Sequence, residues 1–158
     1  MDEIAGEFES HGRFRAVAEG SFAPTTNDWE AVVAVEPPGV EIAVVVPTLD
    51  AATTEQVADV VSDGWYETFE RRVRDADSVT RAEDVSVSAV TRAGGEITVT
   101  LSMAPRSGMA ADDALALVNY VEGTWFQGIV PGYDYIEAVQ AMREQAAQNA
   151  QEAGGTPL

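Results

Sequence analysis

The run Val40-Glu41-Ile42-Ala43-Val44-Val45-Val46 limits what this chain can fold into more than any other stretch. Val40, Ile42, Val44 and Val46 recur at period two, so they share one face of an extended strand. Ala43 and Val45 keep the opposite face apolar as well. A strand apolar on both sides belongs near the middle of a sheet or under cover on both faces. Pro47 has no amide donor and stops it.

An amphipathic segment follows, and its spacing predicts a helix from about Thr54 to Asp75. Thr53 and Gln56 stand at capping-box separation. Val57, Val60, Val61, Gly64, Trp65, Phe69 and Val73 fall three or four residues apart, which predicts one buried face. Gly64 costs about 1 kcal/mol relative to Ala inside a helix, so it marks either a close approach to the sheet or a break. Glu67 and Arg71, and Glu70 and Arg74, are placed to pair along the surface.

The remaining segments read as neighbours of this unit. Residues 3–11 predict a short helix ended by Gly12, with Ile4 and Phe8 on one side. Phe14 is expected to pack. Phe22 to Thr26 reads as an edge strand, because Pro24 cannot donate to a ladder, and Asn27-Asp28 as a turn. Trp29 to Glu36 alternates, with Trp29, Ala31, Val33 and Val35 on one face. Val85 to Thr91 and Glu96 to Met103 flank Ala93-Gly94-Gly95, a hairpin signal. In the second of these strands Ile97, Val99, Leu101 and Met103 point one way and Glu96, Thr98, Thr100 and Ser102 the other, so one sheet face is expected to be wet. A helix opened by Asp112 and Asp113 should bury Leu115, Leu117, Val118, Val121 and Trp125. A last helix begins near Asp134, with Tyr135, Ile136, Val139 and Met142 inward. The expectation is an α+β fold: an antiparallel sheet of about five strands with helices on one face, in the order α-β-β-β-α-β-β-α-α. Residues 1–145 form one domain, and residues 146–158 a flexible tail.

Charge decides the habitat and excludes some partners. Twenty-seven acidic residues face nine basic ones, for a formal net charge of −18. Every basic residue is arginine. Self-repulsion of this size weakens the compact state in dilute salt, whereas at about 1 M salt the screening length falls to about 3 Å. Acids dispersed among apolar residues are therefore read as adaptation to a salt-rich interior. Such a surface is a poor match for nucleic-acid phosphates. No apolar run approaches the roughly 18 residues of a membrane span. The acidic Met1-Asp2-Glu3-Ile4 lacks the basic and apolar regions of a secretory signal, which makes the cytoplasm the expected location.

Little in the chain promises catalysis. Without cysteine, disulfides, thiolate chemistry and cysteine zinc sites are absent. His11 stands alone and suits a helix C-terminal cap. Asp59 and Asp63 share a helix face, as charge density alone would produce. Only oxygen ligands for a hard cation such as Mg²⁺ remain open, and no cofactor is implied. Two features are candidates for binding. Arg71, Arg72, Arg74 and Arg81 form an arginine cluster able to hold an anion or an acidic partner. Tyr120, Trp125, Phe126, Tyr133 and Tyr135 put five of the chain's twelve aromatics into sixteen residues, among three glycines and Pro131. Aromatics on a broken helix line grooves for peptides or small molecules; they equally staple two helices together.

Three stretches carry a family resemblance: Val121-Glu122-Gly123-Thr124 through Gln127-Gly128-Ile129-Val130-Pro131-Gly132-Tyr133, Val46-Pro47-Thr48-Leu49-Asp50, and Asp63-Gly64-Trp65-Tyr66-Glu67-Thr68. Together the chain resembles a haloarchaeal family of small acidic proteins built on a domain of unknown function. The resemblance implies a host and a cytoplasmic setting, and no activity. The element order is similar to that of type III secretion chaperones. The leading expectation is a non-catalytic protein that binds another protein or a peptide, with self-pairing also open. The alternative is a carboxylate-based enzyme, for which several carboxylates would have to converge in one pocket.

Overall fold

The alternating valines do place their strand at the centre of the sheet. The computed structural model describes residues 2–154, with side chains through residue 149. Helix α1 spans Asp2–Ser10. It is followed by strands β1 (Phe14–Ala18), β2 (Ser21–Pro24), β3 (Glu30–Glu36) and β4 (Gly39–Pro47). Two helices come next, α2 (Leu49–Ala52) and α3 (Asp59–Val73), and a single 3-10 turn at Ala76–Val79. The hairpin of β5 (Glu83–Ala93) and β6 (Glu96–Ala104) leads into α4 (Ala110–Gln127) and α5 (Glu137–Gly154).

The fold is α+β. Six strands form one antiparallel sheet in the order β1-β2-β3-β4-β6-β5. Residue Ile42 of β4 lies between Val33 of β3 and Leu101 of β6, and Val44 lies between Ala31 and Val99. Those six side chains are buried under the helices. Fully burying a valine, leucine or isoleucine contributes about 1.5–3 kcal/mol, so this row fixes the register: a slip of one residue would turn all of it to solvent. The opposite face carries Val32, Ala34, Ala43, Val45, Thr98, Thr100 and Ser102, all half-buried. Gly94 and Gly95 turn the β5–β6 hairpin at φ +59 and +80, a pair of left-handed residues that glycine adopts without strain.

Several expectations need correction. The sheet has six strands rather than five, because Phe14–Ala18 forms β1. Strand β2 is not an edge; it lies between β1 and β3. The long helix starts at Asp59, not at Thr54, and Thr53 does not cap it. The Thr53 hydroxyl donates toward the carbonyls of Asp50 and Glu55 instead, and its backbone bridges Tyr135. With the helix shortened, Val57 remains buried outside it, while Val60 is 79% exposed and Val61 37% exposed. Trp65, Phe69 and Val73 carry the buried face. Glu70 and Arg74 pair at 3.4 Å; Glu67 and Arg71 do not. Helix α5 begins at Glu137 and continues through Ala146 to Gly154, and residues 155–158 lie outside the described residues.

Helix α4 is the spine of the helical layer. Ala114, Leu117, Val118, Val121 and Trp125 are buried along it. Its start is held by Glu7 of α1, whose carboxylate accepts from the amides of Gly108 at 2.8 Å and Ala110 at 3.0 Å. His11 closes α1 through its main chain, the N–H donating to the carbonyl of Phe8 at 3.2 Å, while its side chain turns to other partners. Its Nδ1 accepts from the Arg13 amide at 3.2 Å, which leaves the proton on Nε2 to reach Asp112 of α4 at 2.8 Å.

Candidate functional site

Helix α3 leans against the C-terminal half of α4, and a groove of about 380 Å³ opens between them. Its α3 wall is Val61, Gly64, Trp65, Thr68, Phe69 and Arg72, which repeat at helical spacing. Thr124, Gln127, Gly128 and Val130 form the other wall. The Trp65 and Phe69 rings stack, with centroids 5.6 Å apart and planes 4° from parallel. The Trp65 indole N–H donates to the carbonyl of Gly128 at 2.8 Å, which fixes the ring at the groove floor. A side chain at 128 would crowd that ring, since a Cβ there would stand 3.3 Å from Trp65 Nε1. Gly64 is the opposite case: a Cβ at this position meets nothing within 4 Å. Its absence leaves the α3 wall bare without serving any internal contact.

A second depression of about 390 Å³ continues the first and shares Arg72, Thr124 and Gln127 with it. Asp75, Asn119 and Tyr120 make this half polar. The result is one trough, apolar at the Trp65 end and polar at the Tyr120 end, with Arg72 at the join. None of the ten residues of the apolar half is Asp or Glu, in a chain that carries twenty-seven. Arg72 is exposed and has no ion pair among the described residues, whereas Arg74, Arg92 and Arg106 each have one.

The trough brings together parts of both sequence candidates and leaves most of each out. From the aromatic segment only Tyr120 lines it; the Tyr120 hydroxyl donates to the carbonyl of Arg72 at 2.7 Å and ties α4 to the end of α3. Trp125 is 1% exposed, edge-on to Trp29 and Trp65, and its indole N–H donates to the carbonyl of Pro47 at 2.8 Å. Tyr135 is also core. Its hydroxyl donates to the carbonyl of Val130 at 2.5 Å and accepts from the Val130 amide at 2.9 Å, and burial raises its pKa. Phe126 and Tyr133 are half-buried; Phe126 faces a separate cleft between α4 and α5. From the arginine cluster only Arg72 reaches the trough. Arg71 and Arg81 are exposed elsewhere, and Arg74 is paired with Glu70. Spacing marked Trp65 and Phe69 as core, and they are 9% and 3% exposed; the sequence did not show that a groove would open beside them. The available signal was Gly64, an unfavourable helix residue one position from Trp65.

Among the described residues two buried carboxylates, Asp113 and Glu122, lie outside the trough. Asp113 is 4% exposed. Burial pushes its pKa up, and this is outweighed by hydrogen bonds from Arg106 and Thr80, so the net direction is down. Arg106 grips it with Nε at 2.9 Å and Nη2 at 2.7 Å, while the Thr80 hydroxyl donates at 2.5 Å. Glu122, 6% exposed, is raised by burial and stands with Asp28 in the α4–α5 cleft. Its two oxygens accept from the amides of Asp28 at 3.3 Å and Trp29 at 2.9 Å, so it fastens the turn in which the Asn27 amide donates to the Trp29 carbonyl. Among the described residues no three His, Asp or Glu side chains converge as a metal site, and no helix is long and apolar enough to cross a membrane.

Fold and site together define a two-layer α+β protein with a half-apolar trough between two helices. The chain belongs to a family of unknown function, DUF5813, whose model matches residues 9–145. No curated protein and no solved structure matches it.

Proposed function

We propose that this chain is a non-catalytic binding protein and that the α3–α4 trough receives a peptide segment of a partner protein. The observation that carries this reading is the trough's make-up: stacked Trp65 and Phe69 beside the bare backbone of Gly64, with a few polar groups at one end. A mostly apolar concavity with sparse, placed polar groups is what small ligands and peptide side chains bind. Gly64 supports the same reading. It lowers helix stability by about 1 kcal/mol relative to Ala where no internal contact excludes a methyl, so its value lies in what approaches from outside. The working environment proposed is a salt-rich cytoplasm, on the strength of the −18 charge and the all-arginine basic set.

Gly64→Leu tests the site. It puts a side chain into the trough without displacing a core atom. Partner capture from a native high-salt lysate should be lost by this variant and retained by Gly6→Leu, with both folded by circular dichroism. Equal capture by the two variants would remove the trough from the account. A carboxylate enzyme is the second reading, on the strength of Asp28 and Glu122 in one cleft. It ranks lower because both Glu122 oxygens already accept main-chain amides.

A further inference from the structure

We infer that the trough captures the C-terminal end of a polypeptide whose last side chain is apolar. This rests on the binding role proposed above and names the chemistry of the partner. Arg72 marks the junction between the apolar and polar halves. It is the only charged residue of the apolar half, and no carboxylate among the described residues occupies it. In a chain of net charge −18, Arg72 is the one cation of the trough, with an acid-free apolar floor on one side and a single carboxylate, Asp75, in the polar half on the other. Its planar fork matches a carboxylate in two-point geometry.

A terminal residue satisfies every part of this arrangement at once. Its side chain lies on Trp65 and Phe69, and its carboxylate meets Arg72. The preceding residues then run over the polar half, where the exposed amides of Asn119 and Gln127 offer both donors and acceptors to a peptide backbone. Those polar groups are what favour a peptide end over a free organic acid, which would leave that half empty. Gly64 allows the terminal side chain to lie close against the α3 backbone.

The probes are an acetylated pentapeptide ending in leucine with a free carboxylate, the same peptide as its C-terminal amide, and 4-methylpentanoate as the free acid. Affinities are measured by calorimetry at a salt concentration where circular dichroism shows the full fold. The Trp65 indole N–H is followed by NMR to report the site. The acid peptide should bind at least tenfold more tightly than the amide and should shift the Trp65 signal. Arg72→Gln should abolish that preference, while Arg71→Gln, which changes net charge equally from outside the trough, should keep it. Equal binding of acid and amide peptides at Trp65 would overturn the C-terminal inference and leave the groove reading standing. Binding of 4-methylpentanoate as tight as that of the peptide would overturn the polypeptide as the source. No shift of Trp65 with any probe at millimolar concentration would overturn the inference and the groove reading together.

Discussion

Replacing Asp113 by Asn isolates the buried ion pair that closes the loop before α4. Asn keeps the shape but removes the charge, and it turns one oxygen into a donor facing Arg106 or Thr80. At least two charge-assisted bonds are weakened or lost, each contributing about 1.5–3 kcal/mol. The Arg106 side chain is 33% exposed and recovers part of this by hydration. A loss of about 3 kcal/mol follows, which for a chain of this size lowers Tm by about 6–12 °C. Urea unfolding at fixed KCl measures it without changing ionic strength. The pH dependence has a definite sign. Asp113 is held below the ordinary carboxylate range in the folded state, so its contribution is full above about pH 4 and is lost as pH falls through the folded value. The difference between wild type and variant should therefore be constant near pH 6 and shrink in acid. Taking the difference removes the general effect of protonating the other acids. A gap under about 0.5 kcal/mol at pH 6, or one that persists undiminished at pH 2, would refute the role given to this pair.

Three other substitutions and one condition test separate parts of the account. Trp29→Phe should be nearly neutral, within about 1 kcal/mol by urea unfolding, because the indole N–H is buried without a partner and an unsatisfied donor costs about 1–3 kcal/mol. Gly64→Ala and Gly6→Ala should each raise stability by about 0.5–1 kcal/mol in the same assay, since neither new methyl meets an atom within 4 Å. Far-UV circular dichroism should show folding strengthened between low and molar KCl; full stability without salt would contradict the salt-adapted reading.

How much of this was legible in the sequence depends on how local the deciding physics was. Val40 to Val46 and Ile97 to Met103 declared their faces by period two, and Gly94-Gly95 declared the turn between β5 and β6. Strand β1 was silent, since four of its five residues, Arg15 to Ala18, are exposed and only Phe14 is buried. Thr53 misled because its spacing to Gln56 fits a cap, while the chain at Thr53 is held by a bridge to Tyr135, eighty-two positions away. That bridge delays the helix to Asp59 and leaves Val60 in solvent. The aromatic cluster at 120–135 was visible, but whether each ring is wall or core depends on where α3 lands. Trp125 became core because the carbonyl of Pro47 waits for its indole N–H. The trough took its aromatics from α3, where helical spacing rightly marked Trp65 and Phe69 as interior and only the landing of α3 on α4 puts a groove beside them.

The most direct test of the central claim is an amide chemical-shift map of the whole chain under titration with the leucine-terminated peptide. The account predicts shifts concentrated in residues 61–72 and 119–130, on the facing sides of α3 and α4. Shifts confined to the sheet face around Val32, Ala43, Val45 and Thr100, or spread evenly over the acidic surface, would contradict it.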